Sequence, residues 1–186
     1  MEITDLIWLE DVVEKIESKH HVTQTEVEEV FASKPKLKKM HRGRFRGEHV
    51  YRALGQTEAG RYLTVFFIYK RAGEALILSA RDMDEKERKI MPGSKRQISQ
   101  RDSLPENFGS LEEFWAFWDT HSTADYEDLM EDVDMRIDIR SSKVYCAVAK
   151  DLLAQLRTQA RQQGVSTETL INLWLREKVA EATQNN

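Results

Sequence analysis

Apolar positions along the first ninety residues change period twice. Ile7, Trp8, Val12, Val13 and Ile16 recur at helical spacing, and the pattern stops near Lys19-His20-His21. Thr23 and Glu26 then form a capping-box pair, with Val22 and Val27 placed as a hydrophobic staple, so a second helix is expected. Val27, Val30 and Phe31 are its apolar side, and Pro35 follows its end. The period shortens to that of strands at 48–54, 62–69 and 75–81, separated by the turn-like GQTEAG and KRAG. The charged run 84–90 predicts a short helix. This order predicts an α+β domain, two helices packed on an antiparallel sheet.

Pro92-Gly93-Ser94 breaks the pattern, and residues 92–109 are polar enough to read as a linker. Ser110 and Glu113 repeat the capping-box pattern, and Phe114, Trp115, Phe117 and Trp118 follow within five residues. Such a short helix cannot bury four aromatics within itself. They are either local core of the second half or an anchor docked on another surface. Residues 133–140 alternate apolar and charged, as a half-buried strand does, and 143–149 alternate again. A helix with Leu152, Leu153, Leu156 and Ala160 should stop at Gly164. Ser166 caps a last helix with Leu170, Ile171, Trp174, Leu175 and Val179 on its apolar face, and 183–186 should fray. A strand and two helices in ~40 residues bury too little core alone. Two copies that pair strands and interlock helices would bury enough, so a dimer through the C-terminus is expected.

Charge sharpens this division. The net charge of −4 over 186 residues hides eight basic residues against one acid, Glu48, between Lys34 and Arg52. It also hides ten acids against one base, Arg136, between Leu111 and Asp138. Residues 34–47 read as a basic loop or irregular edge, either solvated or a contact surface for phosphate backbone. The acidic stretch could neutralise that surface or meet an outside partner. The single cysteine, Cys146, excludes an internal disulfide framework and a multi-cysteine metal site. No apolar run approaches the ~18 residues of a membrane span, and the first residues are acidic rather than signal-like. The expected compartment is the cytoplasm, without a membrane partner, cofactor or metal.

The stretch Glu74 to Arg88 carries the most chemistry. Ala75 to Ala80 suits a buried strand, Arg81 ends it, and the helix that follows brings Glu87 within reach. A strand end running into a helix holds an arginine and a carboxylate close together. For Arg81 a structural ion pair with Asp84 or Glu85 is the alternative to catalysis. His20 at a helix end is either a proton donor or a capping residue favoured by the helix dipole.

Residues 3–90 resemble the BrnT-type toxins, ribonucleases of type II toxin–antitoxin systems with a RelE-like fold. The resemblance rests on Ile7-Trp8, Lys19-His20-His21-Val22, Val30-Phe31, Tyr51-Arg52-Ala53-Leu54-Gly55, Gly60-Arg61, Val65-Phe66-Phe67, Ser79-Ala80-Arg81 and Lys86-Glu87-Arg88. The family has Lys-His-Gly-Val where this chain has His21, and a tyrosine after Glu-Arg where this chain has Lys89-Ile90-Met91. Residues 108–182 resemble the BrnA/CopG-type ribbon-helix-helix antitoxins, through FWAFWDTHSTADYEDL, Leu152-Leu153-Ala154-Gln155-Leu156 and Gly164-Val165-Ser166 with Leu170-Ile171.

These resemblances imply a toxin domain at 1–91, a linker at 92–109, a toxin-covering segment at 110–132 and a ribbon-helix-helix dimerisation domain at 133–186. The implied function is a fused toxin and antitoxin, in which a metal-independent endoribonuclease is inhibited within the full chain. Cleavage by a 2′-OH nucleophile needs a base, an acid and cations on the phosphorane. Arg81, Glu87 and His20 are the implied catalytic residues, with Arg52, Arg61 and Arg88 on RNA phosphates and His49 a weaker acid. Phe114, Trp115, Trp118 and Tyr126 are the expected toxin–antitoxin contacts. Operator DNA is the implied second partner, through Lys143, Tyr145, Ser166 and Thr167. The alternative reading is a DNA-binding regulator whose toxin-like domain is inactive.

Overall fold

The computed structural model describes residues 1–70, 73–90, 101–139, 148–164 and 167–184. The chain divides into two compact units, Met1–Ser142 and Lys143–Asn186. The first holds β1 (Glu2–Ile3), β2 (Asp5–Ile7), α1 (Glu10–His20), α2 (Gln24–Ala32), β3 (Lys36–Met40), β4 (Arg44–Phe45), β5 (Val50–Gln56), β6 (Tyr62–Lys70), β7 (Glu74–Asp82) and α3 (Glu85–Ile90). It continues with β8 (Asn107–Phe108), α4 (Leu111–Trp118), a 3₁₀ segment (Thr123–Leu129), β9 (Met130–Asp132) and β10 (Arg136–Ile137).

Six strands form one sheet in the order β2-β7-β6-β5-β3-β9. The β2–β7 pair is parallel and the other pairs are antiparallel. Side chains of a strand alternate between faces, and β6 shows what that means here. Leu63, Val65 and Phe67 pack with Val12 and Ile16 of α1 and with Val27, Val30 and Phe31 of α2. Phe66 and Ile68 pack instead with Phe108, Phe114, Trp118, Tyr126 and Met130. The strand is mostly apolar because both faces are covered. Gly55 lets α2 approach β5, since a Cβ there would lie 2.8 Å from Val30 Cγ1.

The structure departs from the sequence expectations in four places. Ile7 lies in β2, beside Leu76 of β7, and the first helix starts only at Glu10. The basic stretch 34–47 contains β3, which pairs with β5 and β9, because Leu37 and Met40 are buried between its lysines. Residues 101–109 are packed rather than a free linker: Leu104 and Phe108 are buried, and β8 pairs with β4. Of the strand expected at 133–140, only Arg136–Ile137 forms one among the described residues 133–139, parallel to β1 within the first unit.

The second unit contains α5 (Lys150–Gln163) and α6 (Thr167–Gln184), with Gly164 at φ 69° ending α5. Leu156, Ala160 and Leu170 are buried, whereas Leu152, Leu173, Leu175 and Val179 are exposed. Most of the strand expected at 143–149, with Lys143 and Tyr145, lies outside the described residues, as does Ser166. Among the described residues, no helix is long and apolar enough to cross a membrane, and no group of three His, Cys, Asp or Glu is placed to hold a metal.

Candidate active site and the segment that covers it

Arg81 sits near the end of β7, opposite Thr64 of β6. The chain then turns into α3, and Asp84 and Glu87 cap that turn reciprocally. Glu87 N–H donates to Asp84 Oδ1 at 2.8 Å, and Asp84 N–H donates to Glu87 Oε2 at 3.1 Å. This capping box fixes the Glu87 side chain against the strand end. Arg81 meets it as a fork, Nη1 to Oε2 at 2.8 Å and Nη2 to Oε1 at 2.9 Å. Such a pair is planar and directional.

Glu87 is fully buried and accepts six hydrogen bonds. Besides Arg81 and Asp84, Thr64 Oγ1 donates at 2.8 Å, Thr123 N–H at 3.0 Å and Thr123 Oγ1 at 2.6 Å. Burial alone would push this carboxyl up. The Arg81 charge and the donors from Arg81, Thr123 and Thr64 outweigh it and hold the carboxyl at about 2.

Arg81 has five N–H groups, and each has an acceptor. Two face Glu87, and a third donates to Asp82 O at 2.9 Å. Nε donates to Trp118 O at 3.2 Å and Nη2 to His121 O at 3.3 Å. Two of the five are therefore taken by main-chain carbonyls from the second half of the chain. The arginine is left with no donor for a phosphate while these residues stay in place.

Neighbouring cations are covered in the same way. Arg52 is fully buried, with Nη1 donating to Thr123 Oγ1 at 3.0 Å and Nη2 lying 2.5 Å from Glu127 Oε1. Lys38 Nζ lies 2.9 Å from Glu127 Oε2. Burial pushes the Glu127 carboxyl up, but Arg52 and Lys38 bring it below the usual range. On α1, Lys15 and Lys19 bond Asp119 at 2.8 and 2.9 Å, and His20 Nε2 lies 3.3 Å from the same carboxylate. Strand β9 completes the cover by pairing with the lysine-rich edge of β3, Lys39 opposite Glu131 and Lys38 opposite Asp132.

The aromatics of α4 anchor this cover. Phe114, Trp118 and Tyr126 are buried against the β6 face. Trp115 is half-buried and donates Nε1–H to Leu78 O of β7 at 2.8 Å. A crevice of about 420 Å³ remains, bounded by Lys19, His20, Arg81, Asp82 and Asp84 on one side and by Asp119 and His121 on the other.

The structure thus brings Arg81, Glu87 and His20 to one region, with Arg52 joined to Glu87 through Thr123. Arg61 is not bonded to Glu87 and is held by other partners. It pairs with Asp82 at 2.8 Å and Glu26 at 3.1 Å, and donates to the carbonyls of His20 and His21 at the end of α1 at 2.9 and 2.7 Å. Arg88 is exposed, its guanidinium 5.7 Å from the Tyr62 ring. His49 Nδ1 lies 3.4 Å from Met40 O. Thr167 opens α6 in the second unit. Sequence reasoning passed over Thr123, Asp119, Glu127, Lys15 and Lys38. Asp119 and Glu127 lay within the recognised acidic stretch, but nothing local marked which cation each would meet.

Comparison with known families divides the chain in the same order. Residues 8–87 match the family described as ribonuclease toxin, BrnT, of type II toxin-antitoxin system. Residues 102–178 match the CopG antitoxin of type II toxin-antitoxin system. A search of curated proteins finds no match to the chain. Toxin and antitoxin regions are therefore present in one polypeptide, and the residues over Arg81 and Glu87 belong to the antitoxin region.

Proposed function

We propose that residues 8–87 form a RelE-like endoribonuclease held inactive by residues 110–132 of the same chain. The observation that carries this reading is the occupancy of Arg81, whose last two donors are spent on Trp118 O and His121 O. Once those carbonyls leave, the guanidinium regains donors on the crevice side while Glu87 still fixes its fork. Arg81 then binds the non-bridging oxygens of an RNA phosphate and stabilises the charge of the phosphorane. Glu87, bonded to both terminal guanidinium nitrogens of Arg81 and to Thr64, acts by orienting Arg81. His20, freed from Asp119, protonates the departing 5′ oxygen as the 2′ oxygen bonds to phosphorus and the 2′ hydroxyl gives its proton to solvent water. The products are a 2′,3′-cyclic phosphate and a 5′-hydroxyl, and the chemistry needs no metal.

The exposed apolar residues of α5 and α6 support a dimer through the second unit. A second copy would cover Leu152, Leu173, Leu175 and Val179 in a ribbon-helix-helix arrangement, and the paired ribbon would present operator-reading side chains. A monomer in light scattering at micromolar concentration contradicts this.

Expressing residues 1–91 alone tests the ribonuclease, with circular dichroism to verify folding. RNA cleavage by the fragment, suppressed in the full chain and lost with Arg81→Ala, supports the reading. A folded fragment that leaves RNA intact shifts the assignment to a DNA-binding regulator with an inactive toxin-like domain.

A further inference from the structure

Three basic side chains on α1 surround one carboxylate that the toxin region does not supply. Asp119 places Oδ1 2.8 Å from Lys15 Nζ and 3.3 Å from His20 Nε2, and Oδ2 2.9 Å from Lys19 Nζ. The Asp119 and Lys15 side chains are each only 9% exposed. Within residues 8–87, Lys15 finds a single polar partner, Ser79 Oγ at 3.1 Å. Its other partners, Asp119 and the Trp115 ring 5.0 Å away, both come from the antitoxin region. The nearby acids of the toxin region are engaged, Asp82 by Arg61 and Asp84 by the N–H of Glu87.

A structural ion pair needs one cation, and like charges four residues apart on a helix repel. The helix dipole accounts for basic residues at Lys19 and His20, in the last turn of α1. It does not account for burying Lys15, one turn further in, where Lys19 and Arg81 add repulsion. An anion with two or more oxygens facing this cup would relieve that repulsion, and Lys19, His20 and Arg81 line the same crevice.

We infer that Lys15 and Lys19, with His20 at the rim, form a second RNA-backbone phosphate subsite beside Arg81, and that Asp119 fills it in the covered state as a stand-in for phosphate. This rests on the ribonuclease reading for its ligand, but its test does not depend on cleavage. An RNA strand would lay one phosphate on Arg81 and a neighbouring one on Lys15 and Lys19, with His20 between them.

The full chain carrying Asp119→Ala is titrated with inorganic phosphate and with dimethyl phosphate, against sodium chloride of equal ionic strength, and its unfolding temperature is read. Asp119→Ala should unfold at a lower temperature than the parent. Each phosphate, at about a hundred times its Kd, should then raise that temperature by roughly 5–10 °C beyond chloride. The parent, its cup filled, should gain nothing beyond chloride. Adding Lys15→Gln to Asp119→Ala should abolish the increment. Asp119→Ser serves as the second variant, because it empties the cup while keeping a hydroxyl on the helix end. No phosphate increment in either variant, or one that survives Lys15→Gln, overturns the subsite. An increment with inorganic phosphate and none with dimethyl phosphate overturns its assignment to RNA backbone. A folded 1–91 fragment that fails to cleave RNA would sink the ribonuclease reading while leaving these binding results to stand or fall separately.

Discussion

Thr123 places two donors on one oxygen of Glu87, its N–H at 3.0 Å and its hydroxyl at 2.6 Å, and the same hydroxyl accepts from Arg52 Nη1 at 3.0 Å. Glu87 lies in the toxin region and Thr123 in the antitoxin region. A buried carboxylate of one region is thus completed by the other, and the cover is coupled to the site by hydrogen bonds as well as by apolar contact. A buried polar group left unpaired costs more than its hydrogen bond contributes. Lifting the cover is therefore opposed until water reaches Glu87 and Arg52.

Thr123→Val tests that coupling, because it keeps the shape and removes the hydroxyl. Glu87 loses one of its donors and Arg52 loses an acceptor, both at buried positions. The expected loss is about 1–3 kcal/mol in urea unfolding with the denaturant slope unchanged. Thr123→Ser restores the hydroxyl and should lie within ~1 kcal/mol of the parent. A loss for serine with none for valine would show that the methyl group, not the hydroxyl, matters here.

Glu87 also sets an acid limit on stability. Its carboxyl is depressed to about 2 from an ordinary 4.5. A depressed carboxylate contributes stability that is fully present above its unfolded value and is lost as pH falls through its folded value. The difference corresponds to about 3 kcal/mol, lost progressively between about pH 4.5 and 2. Asp119 and Glu127 are depressed by their cations and add to the same limb. Urea midpoints measured from pH 2 to 6 should fall steeply in the parent, and Glu87→Gln should show a shallower slope from a lower plateau.

His21 offers a stabilising change. It occupies the left-handed region at φ 51° as α1 ends, while Val22 N–H closes back on Ile16 O at 3.0 Å. A side chain with a Cβ is disfavoured in that region, whereas glycine adopts it freely. Glycine also gives the unfolded chain more freedom, which offsets part of the gain. His21→Gly should raise unfolding free energy by about 0.5–1 kcal/mol. The contact of Arg61 with the His21 carbonyl involves main chain and should persist.

The ease of reading this chain from its residues varies with how local each signal is. The strands at 62–70 and 74–82 were legible because apolar runs bounded by glycine turns have few other readings. The Thr23–Glu26 box was legible from adjacent residues and is formed in full. The equivalent Asp84–Glu87 box was not singled out, since Glu87 drew attention as a partner for Arg81 and performs both roles. Strand β3 was obscured by its lysines, whose stems cover the sheet while their ammonium groups meet Glu127 and Glu131. The closure of Arg81 could not be read at all. Trp118 and His121 reach it through main-chain carbonyls, which every residue carries, so no side-chain pattern marks them.

Trp118 joins the apolar anchor to that closure. Its side chain is 1% exposed, and its ring centroid lies 5.2 Å from Phe66, 5.0 Å from Phe117 and 5.5 Å from Tyr126, while its carbonyl accepts from Arg81 Nε. Trp118→Ala should cost about 3–5 kcal/mol, as a cavity of that size does. Phe31→Ala, on the opposite face of the sheet, should cost a comparable amount, since Phe31 is fully buried and packs edge-on against Phe67. The two losses should differ in where they appear. Trp118→Ala removes the anchor next to the carbonyls on Arg81, so amide exchange should accelerate first across 118–126. If the covered site is a ribonuclease, RNA cleavage should appear in this variant. Phe31→Ala loosens α2 while the cover stays in place, so exchange should accelerate in 24–32 with no cleavage gained. Hydrogen exchange at matched stability, with an RNA digestion assay, separates the two. Cleavage gained equally by both variants would mean that general unfolding, and not release of residues 118–123, exposes the site.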